Sequence, residues 1–513
     1  MTDRYAIEYY NAAEDLLSRN LAAGRGEKAA IIDASGRHSY ARLAERAGQV
    51  ASMLVARGLG REDRLALVML DSVDLVACFL GAIKAGVVPV PLNTRLAPRD
   101  YAYILEDCGA SGLIVSAPLL DTVLGAGPVP GMVLVEGGAT GDHPSLADSL
   151  TGQPADHATA STRADDMCFW LYTSGTTGAP KGVVHLHSHL VATAELYAVR
   201  ILRLDADDVV YSAAKLFFAY GLGNSLTFPM AVGATTVLLA GPPEPSAVCD
   251  ILERERPTVF FGVPTLYAML LASGKLPAPD AHSLRVCVSA GEPLPADLLN
   301  RWSRQVGTTV LDGLGTTEML HIFISNRLDS VTPGTTGQAV PGYRVRLLDE
   351  NDAPCGPGEM GVLEVSGPTA ALMYWNQREK TKETFRGPWT RTGDNYIMDA
   401  SGVLTYCGRN DDMLKVGGIY VSPFEVEAAL AEHESVLEAA VVGHPDQDQL
   451  IKPKAFVMLQ AGAAGTDALA EELKRHVRSS LAEYKYPRWI EFVDDLPRTA
   501  TGKIQRFRLR AAE

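Results

Sequence analysis

Residues 172–182, reading YTSGTTGAPKG, carry the densest set of groups that could do chemistry: eight of the eleven are Thr, Ser, Gly or Lys. Gly175, Gly178 and Gly182 leave backbone N–H groups free to turn toward an anion, Thr173, Ser174, Thr176 and Thr177 add hydroxyl donors, and Lys181 adds a mobile positive charge. Polyphosphate is the guest such a stretch suits. On composition alone a solvated Gly/Ser/Thr turn remains open. The kinase-type phosphate loop is excluded, because that pattern needs Gly-Lys-Ser/Thr, whereas here Pro180 precedes Lys181 and Gly182 follows it. Residues 312–318, DGLGTTE, repeat the theme of small residues and hydroxyls, now ending on the carboxylate of Glu318.

The elements that must position these groups read as α/β. An apolar run at 167–171 leads into the first stretch and a helical segment starts near His187, which puts the loop where open α/β sheets bind ligands. Leu43, Ala47, Val50 and Leu54 recur at helical spacing, 65–70 is a short apolar run, 75–85 is helical again and 87–90 is strand-like. Residues 125–160 read as an irregular surface passage. Strands at 209–213, 234–240, 259–262 and 286–289, with a helix at 246–256, continue a parallel sheet with helices on both faces. Short alternating runs with turns from about 334 to 406 predict a small β subdomain. The last hundred residues predict a compact α+β domain: a helix opened by Ser422 with a capping box to Glu425, strands at 436–442 and 455–459, a helix at 468–481 and a strand at 489–493.

The totals exclude several classes. At 513 residues the chain needs more than one core, and 47% hydrophobic with 21% charged residues is ordinary for a globular protein. A net charge of −15 argues against nonspecific nucleic-acid binding and against anionic membrane surfaces. Seven cysteines without a Cys-x-x-Cys pair fit reduced thiols in a cytoplasmic protein, and neither a secretion signal nor a membrane span is evident.

The 172–182 stretch resembles the signature of the adenylate-forming enzymes, which comprise acyl-CoA synthetases, luciferases and the adenylation domains of peptide synthetases. Further stretches follow in that family's order across essentially the whole chain. The resemblance implies ATP, Mg²⁺ and coenzyme A as co-substrates and cofactor. It implies nucleotide binding by Thr173 through Gly178, Lys181, Asp312, Gly313, Thr317, Asp394 and Arg409, with Thr317 near phosphate and Glu318 on the metal. Asp394, in Thr-Gly-Asp, matches the family residue that bridges the ribose hydroxyls. Leu314 stands where an aromatic residue usually stacks on adenine. Asp411, in GRNDD, matches the hinge, dividing the chain into a 1–410 domain for carboxylate and ATP and a mobile 411–513 domain; Lys415, Gly417 and Gly418 would then line the CoA arm. Lys503, in RTATGKI, matches the catalytic lysine that bridges carboxylate and α-phosphate.

For the acid, the stretch 215–226, KLFFAYGLGNSL, is similar to that of benzoate-CoA ligases, as is Leu320-His321-Ile322. Ala219, Tyr220, Gly221, Ala290, Gly291, Leu320, His321 and Ile322 would surround the ring. The implied activity is formation of an aryl-AMP and its transfer to CoA. Hydroxybenzoate and aminobenzoate ligases, a carrier-protein-loading adenylation domain and a non-catalytic nucleotide binder stay open. A second copy of the chain and an acetyltransferase acting on Lys503 are the macromolecular partners considered.

Overall fold

The helix Val73–Ala85 is apolar almost all the way round, and such a helix is stable only when covered on every side. It ends at Gly86, whose φ of 79° lets the chain turn back into the strand Val88–Pro91. Its partner is the helix Tyr40–Ala56, and the two approach so closely at Gly81 that a methyl there would lie 2.6 Å from Ala47 O. Around them a single apolar cluster gathers Ile31 from one sheet, Leu65, Ile114 and Leu134 from a second, and Phe169 from a third. The helix pair is therefore the filling between sheets.

The computed structural model describes residues 8–173, 179–409, 412–416, 419–447, 450–498 and 504–511. A nine-stranded sheet is parallel through its centre, where Val310–Gly315, Val286–Ala290, Val259–Gly262, Val209–Ser212, Thr235–Val237 and Ala29–Asp33 lie side by side. A four-stranded parallel sheet runs Val88–Pro91, Arg64–Val68, Ala110–Ser116, Met132–Glu136. The small β subdomain is a five-stranded antiparallel sheet over 344–409. The C-terminal segment is α+β, with Val436–Pro445, Ile451–Leu459 and Trp489–Phe492 in one sheet packed by Pro423–Ala431 and Asp467–Ser480. The α/β class with parallel sheets, a β subdomain and a smaller C-terminal domain is thus observed.

Three local expectations are corrected. The phosphate stretch does not lead from a parallel strand straight to a helix: Met167–Thr173 and Lys181–Leu186 pair antiparallel, with Thr173 opposite Lys181, before the helix begins at His187 as expected. The alternating burial of Val183 and Val184 against two different clusters demands a strand there. The passage 125–160 is less irregular than its composition suggests, since it supplies the strand Met132–Glu136 and the helix Leu146–Leu150. The capping box is half made: Ser422 accepts from the Glu425 N–H, but the Glu425 carboxylate turns to Lys485 instead, at 2.6 Å. A lysine ammonium outcompetes a backbone amide for a carboxylate.

Candidate active site

Parallel strands present their carboxyl ends as a crevice, and the substrate-type residues gather there. Ser289 pairs with Asp312 and Ala290 with Gly313, so the strand ends carrying SAG and DGLG lie side by side. The short helix Ala219–Leu222 crosses these ends, and its Tyr220 hydroxyl reaches Val288 O at 3.1 Å and Gly262 O at 3.3 Å. The loop before it is anchored from below. Lys215 Nζ donates to Gly241 O at 2.7 Å, Leu216 N–H donates to Asp71 Oδ1 at 3.2 Å, and Asp71 Oδ2 lies 4.0 Å from the lysine. Burial pushes the Asp71 carboxyl up to about 6 against the pull of that ammonium.

His321 lies in a ring of aromatics, 4.5 Å from Phe228 and 5.6 Å from both Tyr197 and Tyr220 between centroids. Its backbone turn is forced by Leu320, whose φ of 67° is costly for a branched side chain and marks a strained position beside the crevice. Leu320 itself packs into the cluster of the central helix pair, while Ile322 packs into the cluster under the nine-stranded sheet. Asn224 donates to Ser212 Oγ, which turns its Oδ1 toward His321 Nε2 at 3.0 Å. The imidazole proton therefore sits on Nε2 and Nδ1 keeps a lone pair, a buried acceptor with no partner among the described residues. Burial pushes the ring down to about 3, so it is neutral at any working pH. Pyrophosphate release with an aromatic acid is accordingly expected to show no ionisation from His321 between pH 5 and 9; an inflection near 6.5 that His321→Asn removes would contradict this.

Gly223 backs this arrangement. A methyl group there would overlap the imidazole, lying 2.7 Å from Nε2, and a ring held by three aromatics has nowhere to move. Gly223→Ala is expected to lower kcat/KM for the aromatic acid by about 10- to 100-fold through overpacking, with KM for ATP within twofold of the parent. An unchanged acid KM would show that the ring is not part of the acid site.

The nucleotide-type residues converge on the hairpin. Thr317 O accepts from His185 Nε2 at 2.8 Å, which ties the 312–318 stretch to the strand Lys181–Leu186. Glu318 O accepts from Ala371 N–H at 2.7 Å, and its Oε1 accepts from the Tyr374 hydroxyl at 2.6 Å. Lys181 Nζ stands 5.1 Å from the centre of the Tyr374 ring. Burial, with Lys380 nearby, draws the Lys181 ammonium below its usual range. Asp394 lies opposite Arg409 in the register of two antiparallel strands, with Arg409 Nη1 3.9 Å from Oδ1. Asp312 is buried, and desolvation raises its carboxyl well above the usual carboxylate range; its Oδ1 has no hydrogen-bond partner among the described residues. Gly313 is buried against Ile322. Leu314 pairs with Ile324 in the sheet. Ala219 and Tyr220 are half-buried, Gly221 and Ala290 buried, and Gly291 exposed with φ 92°.

Ser174, Gly175, Thr176, Thr177 and Gly178 lie outside the described residues, as do Asp411, Gly417, Gly418 and Lys503; the expected 410/411 boundary does too. Lys415 is on the strand Leu414–Val416. Among the described residues no three His, Cys, Asp or Glu side chains form a metal cluster, and Glu318 Oε2 has no hydrogen-bond partner. A lone carboxylate with a spare oxygen suits Mg²⁺, which takes one or two carboxylates and draws its remaining ligands from phosphate and water. Tyr374, Asp71 and Gly223 were missed from sequence. A Tyr-Trp pair, at 374–375, after a Gly-Pro turn was the only local signal for the first.

A nucleotide-type hairpin joined to an aromatic crevice at the ends of a parallel sheet defines an enzyme that activates an acid on a nucleotide. The chain belongs to the AMP-binding enzyme family, which matches residues 18–375, and the AMP-binding enzyme C-terminal domain matches residues 425–503. It is 55% identical to a benzoate–CoA ligase of Thauera aromatica over 98% of this chain and 96% of that one. Among solved structures it superposes on a benzoate CoA ligase from Burkholderia xenovorans with a TM-score of 0.92 at 49% identity, covering 98% of this chain and 100% of the other. It superposes on an anthranilate CoA ligase in complex with anthranoyl-AMP with a TM-score of 0.94 at 42% identity, covering 100% and 99%.

Proposed function

We propose that this protein is an AMP-forming benzoate–CoA ligase. The benzoate carboxylate oxygen attacks the α-phosphorus of ATP and expels pyrophosphate; the sulfur of CoA then attacks the carbonyl carbon of benzoyl-AMP and expels AMP. The observation that carries this reading is the set of aromatic rings, Tyr197, Tyr220 and Phe228, around His321, three residues beyond Glu318, on a chain 55% identical to a benzoate–CoA ligase. No covalent nucleophile is needed, because positioning and charge neutralisation suffice for a mixed anhydride.

Within this reading Glu318 would hold the Mg²⁺ that accompanies ATP, and the ion would supply charge neutralisation at the phosphates. Asp394 takes the ribose hydroxyls, Arg409, Lys181 and the 173–178 segment take the phosphates, and Lys503 serves the first half-reaction. A 411–513 domain swings about Asp411 relative to 1–410, bringing Lys415, Gly417 and Gly418 to the CoA arm in the second. Acetylation of Lys503 switches the enzyme off, and the protein works in the cytoplasm as a homodimer; seven cysteines without a disulfide are consistent with that compartment. No helix among the described residues is long and apolar enough to cross a membrane.

One observation favours a second reading, a hydroxybenzoate or aminobenzoate ligase: the lone pair of His321 Nδ1, without a partner among the described residues, could accept from a ring O–H or N–H. A panel of benzoate, its hydroxy, amino and halo derivatives, cyclohexanecarboxylate and short fatty acids, assayed for ATP- and CoA-dependent thioester formation, separates them. Benzoate is expected to give the highest kcat/KM. Preference for a hydroxylated or aminated ring would install the second reading, and failure of free CoA to saturate would point to a carrier protein.

A further inference from the structure

Tyr374 touches both charged groups that the phosphate chemistry needs, although they come from stretches of chain far apart in sequence. It lies on the two-residue strand Met373–Tyr374, which adds a third strand to the hairpin sheet with Tyr374 opposite Val183. Trp375 N–H donates to Gly182 O at 2.8 Å, so the tyrosine is fixed against the strand that begins at Lys181. From this place its ring face meets Lys181 Nζ, 5.1 Å from the centroid. Its hydroxyl donates to Glu318 Oε1 at 2.6 Å, while three residues earlier Ala371 N–H holds the Glu318 carbonyl at 2.7 Å. One short segment thus grips Glu318 by both backbone and side chain.

Packing alone does not account for this. The ring also meets Phe385 at 5.5 Å, and a phenylalanine would fill that site equally well. The hydroxyl of a buried tyrosine aimed at one carboxylate oxygen, with the other oxygen unpaired among the described residues, orients the carboxylate so that a single lone-pair set faces the nucleotide. We propose that Tyr374 is a positioning residue for the adenylating half-reaction: its O–H aims Glu318 at the Mg²⁺ carried by ATP, and its ring face seats Lys181 beside the phosphates. The proposal rests on the assignment of Glu318 to the metal given above.

The two arms separate in binding, without turnover. α,β-Methylene-ATP cannot lose pyrophosphate, so its affinity can be measured by calorimetry with excess Mg²⁺ and again with chelator present. Tyr374→Phe keeps the ring and removes only the donor. It is expected to weaken binding about tenfold in Mg²⁺ and to leave the chelated affinity unchanged. Tyr374→Leu is expected to weaken binding about threefold further in both conditions, because the cation has lost its ring face. In a Glu318→Gln background Tyr374→Phe is expected to have no further effect. Equal weakening by Tyr374→Phe with and without Mg²⁺, or the same loss in the Glu318→Gln background, would overturn the proposal while sparing the assignment of Glu318. Glu318→Gln leaving the Mg²⁺ dependence intact would overturn both.

Discussion

Lys503→Ala is expected to lower the rate of pyrophosphate release by about 10²- to 10³-fold, while thioester formation from preformed benzoyl-AMP keeps most of its rate. The asymmetry follows from where charge builds up. In the first half-reaction a carboxylate must approach an α-phosphate that is itself anionic, and two unit charges at about 4 Å repel by several kcal/mol at the effective dielectric of a partly enclosed site. An ammonium placed between them removes that cost only while both anions are present. In the second half-reaction the attacked carbonyl is already esterified to AMP, so the same ammonium has less to neutralise.

Residues flanking Lys503 border the crevice. Arg498 and Ile504 form an antiparallel bridge, and Gln505 N–H donates to Pro497 O at 2.7 Å. Arg498 is ion-paired to Glu438 and lies 3.4 Å from Thr265 Oγ1, which donates to Glu292 Oε2 at 3.1 Å. Thr265 and Glu292 follow the carboxyl ends of Val259–Gly262 and Val286–Ala290, the edge at which Tyr220 sits. The test is to assay each half-reaction separately with the variant and with Lys503→Arg, which keeps the charge. Equal loss of both half-reactions in Lys503→Ala would mean that the side chain supports the fold or both steps alike. Acetylated enzyme should behave as the alanine variant does, because the modification removes the same charge.

What could be seen in advance was whatever a short window of sequence carries. The helix Val73–Ala85 announced itself by an apolar run at 75–83, ahead of Lys84 and Gly86, and the glycine- and threonine-rich stretch announced phosphate by its donors. The hairpin was missed because Lys181–Leu186 has no alternation of polar and apolar residues: Val183 and Val184 are buried on opposite faces, so no period-2 pattern marks a strand there. Met132–Glu136 was hidden for the converse reason, a five-residue strand between glycines whose support comes from pairing with Gly112–Ser116 and from packing of Leu134 far away in sequence. Tyr374, Asp71 and Gly223 share this origin. Each acts through a contact with a residue far away in sequence, Glu318, Lys215 and His321, and no local pattern encodes such a pair. Types of chemistry were therefore legible, and the supports that aim them were not.

Asp394→Asn is expected to raise KM for ATP by about 10- to 100-fold and, more tellingly, to erase discrimination between ATP and its deoxyribose analogues. The reasoning starts from the backbone. Gly393 at φ 77° makes a turn in the strand Trp389–Met398, and Asp394 N–H then donates to Thr392 Oγ1 at 3.1 Å, which fixes the direction of the side chain. Its neighbour across the strand pair, Arg409, has a side chain 43% exposed against 8% for Asp394, so removing the carboxylate does not strand a buried cation. The cost of the substitution is then one of ligand binding and not of stability. A charged acceptor shared by two vicinal hydroxyls is worth about 1.5–3 kcal/mol per bond, and an amide oxygen supplies one neutral acceptor in its place. In the parent enzyme 2′-deoxy- and 3′-deoxy-ATP should each lose about tenfold or more in kcat/KM. In Asp394→Asn that penalty should fall to within about threefold of ATP, because a ribose hydroxyl cannot be missed by a site that no longer holds it. Parent-like discrimination in the variant would move the ribose contact to another residue and leave Asp394 as a strand-pairing partner of Arg409 alone.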